Sequence, residues 1–269
     1  MTCPVLMYFS VEFRPAESPD VFLARALKPF LEQYIWPTKG ARAFFSRHEQ
    51  EDGPLIRIRM RGDDAWIDDL LRPAFEGWMR DRGNWQEISW QPDAAQYGGE
   101  EVLVWVEEHF HIGTRVVLDR IATPGFTYGD AMFDTLRLFT TIAGAAGFSR
   151  EKACWYYGEL LMQWLELFAG AASPTEKEDR IIEFRDTLKP RQSDLSLALD
   201  KFWSEMEAGK YDREHPEWAR WHKGSQLIFE GLGNNPEKTL PTLIRQTGNR
   251  MGLNNQDIVY LVYVLSTSL

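Results

Sequence analysis

The chain has 269 residues, 44% apolar and 26% charged, enough to bury one large core or two modest ones. Forty acidic residues against 30 basic ones give a net charge of −10, which argues against nucleic acid as a partner, since non-specific binding needs a basic footprint. Two cysteines, Cys3 and Cys154, cannot build a disulfide framework, and without a C-x-x-C or H-x-x-x-H spacing no metal site is expected. No apolar run has membrane-spanning length, so no membrane association is expected. The opening MTCPVLMYFSVEFRP lacks a basic leader and reads as a strand, so the expectation is a soluble cytoplasmic protein.

In chain order, residues 5–13 are β-rich. Ser18-Pro-Asp20 then opens a helix with Phe22, Leu23, Ala26, Leu27, Phe30 and Leu31 recurring at three and four. Residues 41–48 read as a second strand, Asp52-Gly53 as a turn, and residues 55–61, LIRIRMR, as a third strand of clean alternation. Asp63 and Asp64 begin a second helix, with Trp66, Ile67, Leu70, Leu71, Phe75, Trp78 and Met79 on one side, and WQEISWQ, 85–91, closes the series as a strand. That order, β-α-β-β-α-β, predicts a ferredoxin-like sandwich over residues 1–92, with two helices on one face of an antiparallel sheet.

QPDAAQYGG, 91–99, then turns the chain: Pro92 removes a ladder donor, and Gly98-Gly99 permits a sharp change of direction. Beyond it, 100–121 is one long helical pattern. Further helices are predicted at 130–146, 149–169, 176–188, 194–208, 214–232, 238–251 and 255–267, separated by Ser149, Ser173-Pro174, Pro190, Gly209 and Gly233-Asn-Asn-Pro236. Residues 173–194 and 209–217 are polar enough to read as connections. The fold class is therefore α+β, with a helical region at 93–269 following the sandwich.

Three clusters carry candidate chemistry. Arg57, Arg59 and Arg61 share one face of the third strand, with Arg47 on the strand before. This is either a solvated, paired face or an anion site, because the guanidinium fork matches a carboxylate. In ACWYYGELLMQW, three consecutive aromatics cannot all face one core, so Tyr156 or Tyr157 should offer a hydroxyl to solvent or a cavity. Ser225, Arg245, Asn249 and Arg250 lie on late helices. Gly248, costing roughly 1 kcal/mol against Ala in a helix, marks close packing or ligand approach. HKGSQ around Ser225 is not a G-x-S-x-G elbow, and no nucleotide-binding loop is present.

FFSRHEQEDGPLIRIRMR, WQPDAAQYGGEEVLVWVEEHFHIGTRVVL and LPTLIRQTGNRMGLNNQDIVYLVYVL follow one another in an order that resembles a known family: the C-terminal domain of lantibiotic dehydratases, also found as stand-alone thiopeptide-type bacteriocin biosynthesis proteins. The resemblance implies action on a modified precursor peptide, a leader plus a core bearing azoles and dehydroalanines. Eliminating members expel glutamate from glutamylated Ser or Thr. Relatives in thiopeptide pathways, the pyridine synthases, join two dehydroalanines in a formal [4+2] cycloaddition that closes a macrocycle and, in pyridine-forming members, expels water and the leader.

Eliminating members use the Arg of R-Y-G-G and a His in the last motif. Here those positions hold Gln96 and Arg245, and only Arg47 of the trio survives. A neutral Gln forfeits a charge-assisted contact of about 1.5–3 kcal/mol, and an arginine cannot serve as a base near neutral pH. The expectation is therefore a cyclase needing no cofactor, with Tyr156, Tyr157, Ser225 and Arg47 as catalytic groups. Arg57, Arg59, Gln96, Tyr97, Arg245, Asn249 and Arg250 are expected to bind substrate, with the leader on the arginine strand. The alternatives are a glutamate-eliminating domain or a non-catalytic leader-binding partner, and the sequence leaves a homodimer open.

Overall fold

A computed structural model describes residues 6–97, 99–211, 215–233 and 236–269; the side chains of Leu6, Gln96 and Pro236 are outside the described set. The chain divides into two compact units, residues 1–126 and 127–269.

In the first unit, β1 (Leu6–Pro15) alternates. Phe9, Val11 and Phe13 are fully buried on one face, while Tyr8, Ser10 and Glu12 take the other. β2 (Arg42–Gln50) and β3 (Gly53–Asp63) form the hairpin predicted around Asp52-Gly53, with Phe45 opposite Ile58 and Ala43 opposite Met60. β4 (Gly83–Glu87) completes an antiparallel sheet of order β2-β3-β1-β4. The apolar face packs on two helices, so that Phe22, Phe30, Phe75 and Met79 join Phe9, Phe13 and Met60 in one core. Each buried aromatic contributes about 1.5–3 kcal/mol of burial.

Both covering helices widen into a π turn just before a proline. α1 (Pro19–Phe22) passes through Leu23–Leu27 into α2 (Lys28–Tyr34), and α3 (Asp64–Trp66) passes through Ile67–Leu71 into α4 (Arg72–Met79). Pro29 and Pro73 each stand second after the turn. A proline inside a helix removes a donor and crowds the carbonyl four residues back. Here the ladder steps to i−5 beforehand, Lys28 N–H bonding Leu23 O and Arg72 N–H bonding Ile67 O.

Two expectations change. The last strand ends at Glu87 rather than 91: after the Ile88 N–H to Ser10 O bond (2.9 Å) the chain leaves the ladder. Trp90 then crosses the polar face, meeting Tyr8 at 4.9 Å and Phe44 at 5.9 Å between ring centres. Second, the division between units falls after Phe126, not at 92/93. The short α5 (Ala94–Tyr97) leads into α6 (Glu100–Ile121), which packs on β2 through Phe110 against Phe44 (5.5 Å). The polar face of the sheet is therefore partly covered. β2 is an edge strand whose outward backbone groups need partners; His111 of α6 places Nδ1 3.1 Å from the Ala43 N–H and 3.2 Å from its carbonyl.

The second unit is helical: α7 (Tyr128–Ala145), α8 (Arg150–Phe168), α9 (Pro174–Leu188), α10 (Gln192–Glu207), α11 (Pro216–Leu232), α12 (Leu240–Arg250) and α13 (Asn255–Ser268). Caps set their starts. Thr127 with Asp130 and Ser173 with Glu176 form capping boxes, and Ser149 accepts from Lys152 N–H. The stretch 173–194, read from its polarity as a connection, is largely α9. Residues 212–214 of the other polar stretch lie outside the described set. α13 is apolar on nearly every side and runs along α8, with α7, α9, α10 and α12 also against it. Buried Thr135, Thr140 and Thr141 donate to carbonyls four residues back, so no hydroxyl of the three is left unmet. Among the described residues no helix is long and apolar enough to cross a membrane.

Candidate functional site

The polar face of the sheet carries the most chemistry in the first unit. β1 offers Tyr8, Ser10 and Glu12, β3 offers Arg57, Arg59 and Arg61, and β2 offers Arg42, Phe44 and Ser46. Two of the three β3 arginines are engaged. Arg57 donates through Nε to Glu12 (2.8 Å), and Gln86 also donates to that carboxylate (3.0 Å). The Arg57 guanidinium, ahead of the Gln86 bond, holds Glu12 below the usual carboxylate range. Arg61 pairs with Glu107, a buried carboxylate on α6, whose other oxygen accepts from Tyr8 Oη at 2.6 Å. Burial pushes the Glu107 carboxyl up, against the opposing pull of the Tyr8 hydrogen bond and the Arg61 charge. Burial, then Glu107 itself, pushes the half-buried Tyr8 phenol up to about 12. Tyr8, Glu107 and Arg61 thus form a phenol–carboxylate–guanidinium chain whose carboxylate is buried and whose two ends are half-buried.

Arg59 is different. Its guanidinium lies 4.6 Å from the Trp90 ring centre and 5.9 Å from that of Phe44, and among the described residues it has no hydrogen-bond acceptor and no carboxylate partner. Desolvation, then repulsion from Arg57, lowers its pKa, while Tyr97 and Glu12 oppose this. Arg59 is half-buried, and stacking on aromatics returns about 0.5–2 kcal/mol against a desolvation penalty that no hydrogen bond or ion pair among the described residues offsets. Tyr97, from the Tyr-Gly-Gly motif, packs 6.1 Å from Phe110, and Gly99 takes the φ of +119° that turns the chain into α6. The fold therefore brings Arg59 and Tyr97 into one neighbourhood.

Other expected site residues fall elsewhere. Arg47 shares the apolar face with Ala43 and Phe45, opposite from Arg59, and pairs with Asp20 at the start of α1 (2.6 Å). The side chain of Gln96, and Gly98, lie outside the described residues. In the second unit Tyr157 is a core residue, its hydroxyl donating to Phe139 O at 2.8 Å, so it is not the exposed phenol expected. Ser225 is likewise fully buried, in α11. Tyr156 remains half-buried at a recess of about 420 Å³ lined by Trp155, Glu159, Gln163, Glu237, Lys238 and Pro241. It makes a long 3.4 Å contact to Glu237 O.

Arg245 lies over the Phe168 ring at 5.5 Å. Asn249 is half-buried and Arg250 buried near the end of α12. The Gly252 of this motif is a helix stop. At φ +89° it lets its own N–H reach Asn249 O (3.0 Å) and the Leu253 N–H reach Gly248 O (3.1 Å).

Tyr8, Phe44, Trp90 and Glu107 were not among the residues expected to act. The alternation of β1 did place Tyr8 beside Ser10 and Glu12. Glu107 announced itself only as an acid three and seven residues before Phe110 and Thr114, within a buried helix stripe.

The chain belongs to the lantibiotic biosynthesis dehydratase C-terminal family, whose profile matches residues 7–269. Its shape is similar to that of a solved structure titled pyridine synthase TbtD from thiomuracin biosynthesis, at a TM-score of 0.74 and 13% identity, with 97% of each chain covered. It is also similar to TsrL (TM-score 0.63, 15% identity, 98% of this chain and 94% of that one). The tRNA-dependent lantibiotic dehydratase MibB from Microbispora sp. 107891 is a third (TM-score 0.61, 17% identity), where 97% of this chain spans 28% of the other. No curated protein matches the sequence.

Proposed function

We propose that this protein matures a ribosomally made peptide by joining two dehydroalanines in a formal [4+2] cycloaddition. The observation that carries the reading is the pair Gln96 and Arg245 at the positions where eliminating members hold an arginine and a histidine. An amide and a permanent cation can orient carbonyls, but neither takes up a proton near neutral pH. Likeness to a stand-alone pyridine synthase over the full length of both chains supports the same choice. The strand order and the two helical crossovers on one face support reading the first unit as ferredoxin-like.

In the reaction two carbon–carbon bonds form at the expense of alkene π bonds, after one amide proton has moved from nitrogen to its carbonyl oxygen. Loss of water and of the leader as an amide then leaves an aromatic ring, and no oxidant is needed. The protein has to align two olefins and move one proton. Tyr8 is the better placed relay: it accepts the amide proton as its own passes to Glu107, and returns it to the carbonyl oxygen, while Arg61 holds the carboxylate.

The test supplies purified protein with a dehydrated, azole-containing peptide and follows its mass. The expected product series is an isomer of unchanged mass, then loss of water and leader. Y8F and E107Q should lower kcat by about 10²–10⁴ with little change in KM. Folded Y8F and E107Q proteins turning over at the parent rate would remove the relay.

A further inference from the structure

We infer that Arg59 and Ser10 form a binding subsite for a carboxylate on the peptide substrate. The pair is set by the ladder: Ser10 stands directly opposite Arg59 across β1 and β3, and Phe44 stands opposite it on the other side. Ser10 is 1% exposed, and its hydroxyl has no hydrogen-bond partner among the described residues. Arg59 lies beside it with Nε buried and unmet. Two neighbouring buried donors without an acceptor are rare in folded proteins, where such groups are almost always satisfied.

The flanking arginines show that the fold can supply acids here, since Glu12 serves Arg57 and Glu107 serves Arg61. At Arg59 the neighbouring groups are instead the rings of Trp90 and Phe44, which lie against the guanidinium without neutralising its charge. A carboxylate fits this donor set: it accepts a fork from the guanidinium and a further bond from the hydroxyl, and it carries the missing charge. A neutral amide would satisfy the donors but leave the charge. The ligand class rests on the peptide reading above; the subsite itself does not.

The experiment follows the Arg59 Nε–Hε resonance in ¹⁵N-labelled protein, assigned by its absence from R59M. Three probes are titrated: acetyl-Ala-Glu-Ala-amide, acetyl-Ala-Gln-Ala with a free C-terminus, and the neutral acetyl-Ala-Gln-Ala-amide. A saturable shift is expected with one or both acidic probes and not with the neutral one, and the responding probe tells a side-chain carboxylate from a chain terminus. S10A should weaken that binding several-fold. R59M, which keeps the stacking volume and removes the charge, should unfold at the same or a higher temperature than the parent. Overturning results are an absent response to both acids, an equal response to all three probes, or R59M melting below the parent, which would make the guanidinium a structural prop. No turnover is needed, so failure of ring closure would leave this result standing.

Discussion

Gly248 shows what one hydrogen atom decides. A methyl group there would come within 2.7 Å of Ile258 Cγ1 and 3.4 Å of Phe139 Cζ, in a helix seam that is otherwise full. The sequence flagged this glycine as either a packing contact or a ligand approach, and the contact is packing. G248A gains roughly 1 kcal/mol of helix propensity against an overpacking cost of about 1–3 kcal/mol. The net expectation is a lower urea midpoint. I258A, which removes both close atoms and costs about 2–5 kcal/mol alone, should partly relieve the overlap, so the double variant loses less than the sum. Equal or greater stability in G248A would mean that the seam can open. Tyr156 and Tyr157 carry the same lesson. Adjacency forced them apart, as the sequence implied, but which one turned inward depended on Phe139 offering a carbonyl to Tyr157, a neighbour no local pattern names.

At the scale of elements, periodicity placed the helices and strands well wherever the pattern was strong. α6 was read at 100–121 and spans Glu100–Ile121. Its partner was not legible, because an apolar stripe states that it will be buried and not against what. The missed contact leaves a measurable signature at His111. Burial first, then the nearby Arg42 charge, lowers its pKa from the ordinary 6.5 to about 4; Glu108 and the Ala43 backbone pull upward and Arg115 downward. The unfolded chain therefore binds a proton between about pH 6.5 and 4 that the folded chain refuses, and stability contributed by the neutral ring is lost as pH falls through that window. The urea midpoint should drop from pH 7 to pH 5, and H111Q should flatten that part of the profile. An H111Q profile parallel to the parent's would place the titration elsewhere. β4 failed for a related reason: WQEISWQ has strand composition, yet Trp90 leaves the ladder for the cross-face contact with Arg59.

For the molecule as a whole, the α+β order and the family were readable because they rest on long patterns and on three spaced motifs. The site was readable only in part. The arginine strand and the Tyr-Gly-Gly turn meet as Arg59 and Tyr97, whereas Arg47 turns to the opposite face and Tyr157 and Ser225 go to the core. Pairing choices of that kind, such as Glu107 taking Arg61 and Tyr8, are made between elements far apart in the chain.

On the function proposed above, this scaffold aligns olefins and has given up expelling glutamate. This is tested most directly by one competition: an equimolar mixture of a dehydrated azole peptide and a glutamylated peptide, incubated with the protein and followed by mass spectrometry. The expected result is that the first peptide is consumed with release of its leader while the second persists unchanged. Conversion of the glutamylated peptide to its alkene, with the dehydrated peptide left intact, would contradict it.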